Sequence, residues 1–551
     1  MTSPAPNQLP AWQALQAHQI QIAPLRLREL FAGDDGRFRR FSVQACDLFL
    51  DYSKNRITAD TMALLVELAR RSGVETWRDR MFAGDMVNES EHRAALHVAL
   101  RAPAGQPFPS PAGDVMPAVA AARRRMGEMC DALRQGRWTG HSGKTVTRIV
   151  HMGIGGSHLG PAMGTRALAA PGSGAPALQF VSSVDGVGLS GALAQAQAET
   201  TLFIVASKSF STAETMANAA SARAWLLERG GFPAAAVADH FVAITANADG
   251  ARDFGIPDRN ILPLWDWVGG RFSLCSSVGL PVAIAAGMDA FDELLAGAHD
   301  MDQHFLNAPL GENMPVVMGL LGVWYRNFFA AASRAVLPYD VRLSGFPAYL
   351  QQLEMESAGK KVGRDGESLD FATCPVLWGA SGNDAQHSFF QLLHQGGALV
   401  PCDFLVSVGG ASGLAEHDHA LLANALAQAE ALMVGRDAGE TRAYLAGEGL
   451  AGEGLRALLP HCVFTGNQPS NTLLYESLTP RRLGALIALY EHRIFVQCVC
   501  WGVNAFDQWG VELGKGLAGR LRRELADGTN GDHDASTAGL LAHARRLRRN
   551  R

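Results

Sequence analysis

The chain lacks the sequence features of zinc-binding, disulfide-rich and membrane proteins. Its 551 residues include only 8 cysteines, and no two of these have CxxC spacing. Neither a zinc site nor a disulfide framework is therefore indicated. No charged-then-apolar leader opens the chain, and it contains no run of about 18 uncharged apolar residues. No His/Asp/Glu cluster stands out, so we expect no metal or other cofactor. We also expect no membrane association and a cytoplasmic location.

The chain also lacks a strong excess of charge of either sign. Its 48 Lys and Arg nearly balance 53 Asp and Glu, and the net charge of −5 gives no general attraction to nucleic acid or anionic membranes. We therefore expect no nucleic-acid partner. Basic residues gather only at 545–551, where a solvated helix end is the simplest interpretation and a binding patch is the alternative. No internal repeat or low-complexity segment is evident.

The composition is typical of a soluble α/β protein with two or more domains, since 48% of the residues are hydrophobic and 59 are glycine. Up to about residue 112 the patterns indicate helices, for example at 60–72 and 91–101, and no clear strand. Four prolines between 103 and 111 mark a connection. We expect residues 1–114 to form a helical extension that packs on the second of two α/β domains.

Short apolar runs alternating with helical patterns predict the first α/β domain at 115–285. The domain is expected to open with a helix at 115–133, and its strands are expected at 146–152, 178–184, 201–206 and 241–245.

The second domain is expected at 286–515. Its predicted strands are 335–338, 375–378 and 404–408, and its helices are 315–329, 344–359, 389–394, 415–434 and the apolar region 490–515. A helical tail at 516–551, with a polar loop at 527–534, completes the chain. The predicted fold is thus two doubly wound α/β domains with mainly parallel sheets and helical extensions at both ends.

A glycine-rich loop follows the first predicted strand of the first domain, at residues 153–161 (GIGGSHLGP). Such a loop presents backbone N–H groups at a positive helix end, which suits a phosphate. It lacks the sixth-position glycine of a dinucleotide fingerprint, where His158 stands, and the Lys-Ser/Thr of a P-loop. A tight strand-to-helix turn without a ligand is the alternative.

The loop at 207–215 (SKSFSTAET) carries five hydroxyls and one lysine at the mouth of the next helix. Ser211 and Glu214 have the spacing of a capping box, which explains part of the pattern. The other hydroxyls and Lys208 favour a site that solvates a phosphomonoester without a metal. Both loops follow carboxyl ends of neighbouring strands, where α/β sheets bind ligands.

The predicted helix at 344–359 carries two polar residues, Gln352 and Glu356, on an edge distinct from its apolar stripe. Glu356 lies in the last turn, where the helix dipole disfavours negative charge and raises a carboxyl pKa, as suits a general base. On this segment alone, a solvated surface glutamate is the alternative.

The chain resembles the glucose-6-phosphate isomerase (phosphoglucose isomerase) family in seven segments that keep the family's order and span most of its length. Besides 153–161 and 207–215, these are 266–273 (DWVGGRFS), 352–360 (QLEMESAGK), 378–396 (WGASGNDAQHSFFQLLHQG), 466–471 (GNQPSN), and 490–495 (YEHRIF) running to 506–515 (FDQWGVELGK). Departures are Ser209 and Ser211 for threonine, Ala358 for asparagine, Asn383-Asp384 for Thr-Asn, and Ala505 for serine. None removes a proposed catalytic group.

The resemblance implies sugar-isomerase-type domains and interconversion of glucose 6-phosphate and fructose 6-phosphate through ring opening and a cis-enediolate, in glycolysis and gluconeogenesis. It makes Glu356 the base, Arg271 the enediolate partner, and His387 and Lys515 the ring-opening pair. A structural histidine and a helix-end lysine are the alternatives for the last two. The implied substrate-binding set is Gly156, Ser157, Ser207, Lys208, Ser209, Thr212, Thr215, Gln352 and Gln508.

The same resemblance implies a homodimer in which His387 completes the neighbour's site. Two other functions remain open at this point: an isomerase of another phosphosugar, and a non-catalytic phosphosugar-binding regulator.

Overall fold

The computed structural model describes residues 5–169, 172, 174–409 and 412–549. The chain forms two compact units, the first ending at Phe506 and the second beginning at Asp507. The strands within the described residues are β1 Ser42–Ala45, β2 Leu48–Asp51, β3 Arg148–Met152, β4 Ala177–Val181, β5 Thr201–Ala206, β6 Phe241–Thr245, β7 Ile261–Pro263, β8 Ser333–Tyr339, β9 Val376–Gly379, β10 Cys402–Ser407 and β11 Ser470–Tyr475.

Helices connect and flank these strands. In chain order they are α1 Pro10–Ile22, α2 Leu27–Ala32, α3 Arg37–Arg40, α4 Ala59–Arg71, α5 Val74–Phe82, α6 Met116–Arg134, α7 Leu159–Leu168, α8 Gly186–Ala194, α9 Ala213–Gly230, α10 Val237–His240, α11 Ala248–Phe254, α12 Leu280–Ala286, α13 Met288–Asn307, α14 Met314–Val323, α15 Phe346–Gln351, α16 Gly382–Gln386, α17 Phe390–Gln395, α18 Ala415–Val434, α19 Ala438–Gly447, α20 Gly452–Leu458, α21 Pro480–Cys500, α22 Glu512–Asp527 and α23 Ala535–Arg549. Two π-helical turns, Trp324–Phe328 and Gln352–Glu356, follow α14 and α15.

The first sheet has the order β4-β3-β5-β6-β7, and each pairing in it is parallel. Its strands are buried on both faces: in β5, Leu202 and Ile204 belong to the central core, whereas Phe203 and Val205 belong to a separate one. Since alternate residues of a strand face opposite sides, helices must cover both faces. The predicted α/β class with mainly parallel sheets is confirmed.

The second sheet has the order β1-β2-β11-β10-β8-β9. Its strands β8 to β11 pair in parallel, and β2 joins the edge of β11 antiparallel. The expectation that the first 112 residues contain no strand is wrong, because the hairpin β1–β2 lies there. The proposed boundaries at 115, 286 and 516 stay a prediction.

Helix α21 is the buried centre of the first unit. Among the described residues it alone is long and apolar enough to cross a membrane, and that apolar window is 100% buried inside the fold. It crosses α13 where two glycines face backbone: a Cβ on Gly484 would lie 1.8 Å from the Leu294 carbonyl oxygen, and one on Gly297 would lie 1.7 Å from that of Arg481. Such close approach requires glycine at both positions.

Several other element predictions need correction. Residues 91–101 do not form a continuous helix; 3₁₀ turns at Glu89–Glu91 and His97–Arg101 flank an irregular stretch. The apolar region 490–515 is not continuous, since α21 ends at Cys500 and α22 begins at Glu512. Strands β7 and β11 were not anticipated. The helix predicted at 344–359 does end before Gly359, but Gln352–Glu356 within it is a π turn.

Candidate active site

Two loops meet at the carboxyl edge of the first sheet, one after β3 and one after β5. In the second loop Ser207 is buried, and its hydroxyl donates to that of Thr212 at 3.1 Å. The Ser211 hydroxyl donates to that of Ser209 at 2.8 Å. The hydroxyls therefore cluster at the start of α9, as the sequence predicted.

Helix α9 begins without a side-chain cap. Its N-cap residue is Thr212, whose side chain makes no capping bond, so the capping box expected from Ser211 and Glu214 is wrong. Thr215 in the first turn is buried, and its hydroxyl has no hydrogen-bond partner among the described residues. An uncapped helix start with spare hydroxyls is suited to an anion.

The buried His151 holds the glycine loop in place. The His151 Nε2–H donates to the Ser157 carbonyl at 2.8 Å, and burial lowers the pKa of this histidine to about 4. Its ring is therefore neutral and holds the loop that carries Ser157. Gly155 has a φ of +56°, a conformation that favours glycine.

Gly156 joins this loop to the turn that carries Arg271. A Cβ on Gly156 would lie 1.9 Å from the carbonyl oxygen of Gly270. No other residue fits without moving one of the two turns. The glycine loop and the turn that carries Arg271 are thus packed directly against each other.

Lys208 points toward the same arginine-bearing segment. Its ammonium donates to the carbonyls of Asp266 at 2.9 Å and Val268 at 3.1 Å. Burial lowers the pKa of Lys208, and the nearby Asp266 carboxylate opposes that shift. In this structure the lysine ties the hydroxyl loop to the residues before Arg271, a contact that the sequence did not indicate.

Arg271 is buried and held by groups from two other segments. Its Nε donates to the Ser357 hydroxyl and one terminal nitrogen donates to the Ala505 carbonyl, each at 2.7 Å. The other terminal nitrogen lies 3.7 Å from Glu356 Oε1. The bond to Ala505 uses the backbone, so it does not depend on the side chain at position 505, where the family has serine.

Glu356 closes the π turn Gln352–Glu356, and its side chain is 22% exposed while that of Arg271 is 1% exposed. A separation of 3.7 Å is too long for a direct hydrogen bond, so the two groups are neighbours with their opposed charges close together. Gln352, at the other end of the turn, lies over the glycine loop: a Cβ on Gly155 would lie 3.0 Å from its Nε2. The structure therefore brings Gln352, Glu356 and Arg271 together with the glycine loop.

His387 forms no hydrogen bond or ion pair with Gln352, Glu356 or Arg271. It follows α16, its side chain is exposed, and its ring has no hydrogen bond or ion pair within the described residues. The neighbouring Gln386 donates to the Tyr339 hydroxyl at 2.9 Å, which anchors the segment.

Gln508 and Lys515 belong to the second unit. Lys515 lies in α22, is 65% exposed, and forms an ion pair of 2.7 Å with Glu512.

Two features of the site are not evident from the sequence. The π turn reads locally as ordinary α-helix, although π turns are rare and concentrate at functional sites. Ser357, which accepts from Arg271, carries no signal beyond its place after Glu356. Among the described residues, no group of three or more His, Cys, Asp or Glu side chains is placed to hold a metal ion.

Comparison with known proteins adds evidence of a different kind. A family model described as phosphoglucose isomerase matches residues 51–541. A glucose-6-phosphate isomerase of Methylococcus capsulatus is 50% identical over 546 residues, covering 99% of this chain and 100% of the relative. One from Cupriavidus metallidurans is 52% identical over 98% of this chain and 99% of its own.

A solved structure agrees with these relatives. A crystal structure of a glucose-6-phosphate isomerase from Chlamydia trachomatis superposes with a TM-score of 0.84 at 31% identity, covering 99% of this chain and 100% of that one. Family model, relatives and solved structure cover nearly the whole chain and agree with one another. The chain belongs to the phosphoglucose isomerase family.

Proposed function

We propose that the protein interconverts glucose 6-phosphate and fructose 6-phosphate, with one carboxylate carrying the proton. The Glu356 carboxylate removes the proton from C2 of the open-chain aldose. The electrons of the C2–H bond form a C1=C2 double bond, and the C1 carbonyl oxygen becomes the enediolate oxygen. Return of the proton to C1, with transfer of the O2 proton to O1, gives the ketose. No redox cofactor is needed for this balance.

The pairing of Arg271 with Glu356 is the observation that carries this proposal. A buried guanidinium 3.7 Å from a partly exposed carboxylate places a permanent cation beside the base. Negative charge develops on the substrate oxygen next to the carbon that loses its proton. A fixed cation at that point stabilises the enediolate more than the ground state.

The phosphate group is assigned to the two loops at the edge of the first sheet. Backbone N–H groups around Gly156 and at the start of α9 would supply donors, together with the hydroxyls of Ser157, Ser207, Ser209, Thr212 and Thr215. Lys208 adds positive charge nearby, although its ammonium is committed to two carbonyls. Gln352 is placed to bond a sugar hydroxyl.

Ring opening is assigned to His387 and Lys515, and hydroxyl positioning to Gln508, as the family resemblance implies. The exposed His387 ring supports a role in which it enters the site of a second copy in a homodimer. We expect the activity to serve glycolysis and gluconeogenesis in the cytoplasm.

A coupled assay on the purified protein tests the proposal. Fructose 6-phosphate is supplied, and glucose 6-phosphate is detected with its dehydrogenase. Turnover of this pair in preference to a panel of other phosphosugars, retained in EDTA, is the expected result. Binding of sugar phosphates without turnover would instead indicate a regulator.

Glu356→Gln tests the assignment of the base, since it keeps the size and hydrogen bonding of the side chain but removes the basic group. Isomerisation should fall by about two to four orders of magnitude while calorimetric binding of the sugar phosphate survives. Near-normal turnover in this variant would refute the assignment of the base.

A further inference from the structure

A cluster of buried charges lies behind the π turn that carries Glu356. Glu354 Oε1 accepts from Arg334 at 2.8 Å and also from Arg493. Arg334 reaches Asp403 at 2.9 Å with its other terminal nitrogen. Two arginines thus balance two carboxylates, and each of the four residues is at most 5% exposed.

The cluster joins the turn to rigid parts of the fold. Arg334 lies in β8, Asp403 in β10 and Arg493 in the core helix α21. Asp403 also accepts from Tyr490 at 2.9 Å and from Asn471 at 2.8 Å. The short π turn is therefore attached to a strand and a helix through one glutamate.

Glu354 and Glu356 lie on opposite sides of their turn. In an α-helix two residues span roughly 200° around the axis, and the wider π turn, with its i→i+5 bonds, brings this angle closer to 180°. The backbone of the turn is held as well: the Cys374 thiol lies 3.6 Å from the Glu354 carbonyl, and the Cys498 thiol lies 3.7 Å from that of Ser357. On the front, Arg271 holds the Ser357 hydroxyl. Rotation of the turn about its axis is consequently opposed from behind by Glu354.

We infer that Glu354 is a positioning residue, which fixes the rotation of the π turn and thereby the position of the Glu356 carboxylate. The inference rests on the proposed function. A carboxylate about 6 Å from the helix axis moves by about 1 Å for each 10° of rotation. A misplacement of about 1 Å is enough to cost about 100-fold in rate.

Glu354→Gln tests the inference, with Glu491→Gln as its control. Glu491 is equally buried and pairs with Arg101 at 2.5 Å, but it lies in α21 and not in the π turn. Each variant removes one buried carboxylate, which is shared by Arg334 and Arg493 in the first case and pairs with Arg101 in the second. A general loss of stability is therefore common to both, whereas displacement of Glu356 is expected only in the first.

The decisive measurement is the fate of deuterium placed at C2 of glucose 6-phosphate. The fraction found at C1 of the ketose, against that lost to water, depends on where the base sits. It does not depend on how much enzyme is folded. For Glu354→Gln we expect kcat to fall about 10- to 100-fold, KM to change by less than about three-fold, and the retained fraction to fall by about half or more. Glu491→Gln should keep the wild-type fraction.

Two results would overturn the inference: a wild-type retained fraction in Glu354→Gln, or an equal fall in Glu491→Gln. If Glu354→Gln does not fold, Glu354→Asp keeps the charge and shortens the reach by one methylene. It should show an intermediate fall in the retained fraction, and a wild-type fraction would again refute the role. If the unmodified protein does not interconvert the two sugars, the proposed function and this inference fail together. If it does, the variants decide the inference alone.

Discussion

Arg271→Lys keeps the positive charge of the enediolate partner but removes its shape. The guanidinium bonds to Ser357 and Ala505 through two nitrogens and faces Glu356 with a third. An ammonium is a single point on a flexible stem, so it cannot span partners on separate segments. The substitution therefore tests whether a fixed fork, and not only a charge, is required.

The magnitude follows from the bonds that are lost. Each charge-assisted hydrogen bond contributes about 1.5–3 kcal/mol, and loss of a fixed oxyanion donor costs about 3 kcal/mol in the transition state. We therefore expect kcat to fall on the order of 10²- to 10³-fold, while KM changes little because the phosphate loops are untouched. The coupled assay measures both constants.

Arg37→Lys is the matched control. Arg37 is also buried, and it donates to the carbonyls of Ser53, Ile57 and Asn55 at 2.7–3.0 Å, outside the proposed site. Both variants should lose thermal stability, but only Arg271→Lys should lose turnover per folded molecule. An Arg271→Lys enzyme within about three-fold of wild-type kcat would refute the reasoning.

Three further predictions follow from the site. Lys208→Ala should chiefly raise KM and lower the melting temperature, because it removes charge near the phosphate loops and two bonds to carbonyls; a large fall in kcat at unchanged KM would assign Lys208 a chemical role. Co-expressed His387→Ala and Glu356→Gln chains, each inactive alone, should recover about a quarter of wild-type activity if His387 serves the neighbouring subunit, because half of the dimers are mixed and one of their two sites is intact; no recovery would place His387 in its own subunit's site. The folded-state pKa of His151, about 4, lies below its ordinary value of 6.5, so the unfolded chain binds more protons between these two pH values. The free energy of unfolding therefore decreases as pH falls from about 6.5 to about 4. Urea unfolding of wild type should therefore lose about 2 kcal/mol more than His151→Asn between pH 7 and 5, and equal losses would contradict the assignment.

The sequence predicted the strands that are recognisable from their own residues alone. The strands Thr201–Ala206 and Phe241–Thr245 are continuous apolar runs between polar segments, and they were predicted with the observed bounds. β7 was missed because three residues ending in a proline carry almost no signal. The hairpin β1–β2 was missed because its stability depends on β11, far along the chain.

In the site, too, features set by neighbouring residues could be predicted, and features set by distant residues could not. Glycines and hydroxyls close together in the sequence predicted a phosphate site at the two loops, because their chemistry is local, and that assignment stays a prediction. The π turn was not predictable, because the buried arginines that hold Glu354 come from a strand 20 residues away and a helix 139 residues away. The direction of Lys208 was likewise decided by carbonyls almost 60 residues away. Side-chain direction follows from packing and not from spacing.

The pairing of β2 with β11 bears on how the protein is made. Asn55, just after β2, bonds to the Ser470 carbonyl across 415 residues of chain. During synthesis the N-terminal hairpin must therefore wait for most of the polypeptide before its partner strand exists. Contacts of such long sequence separation form slowly, and until they form both strands present unpaired edges on which other chains can pair. We expect a newly made chain to be most prone to aggregate, and to benefit most from a chaperone, before this sheet is complete.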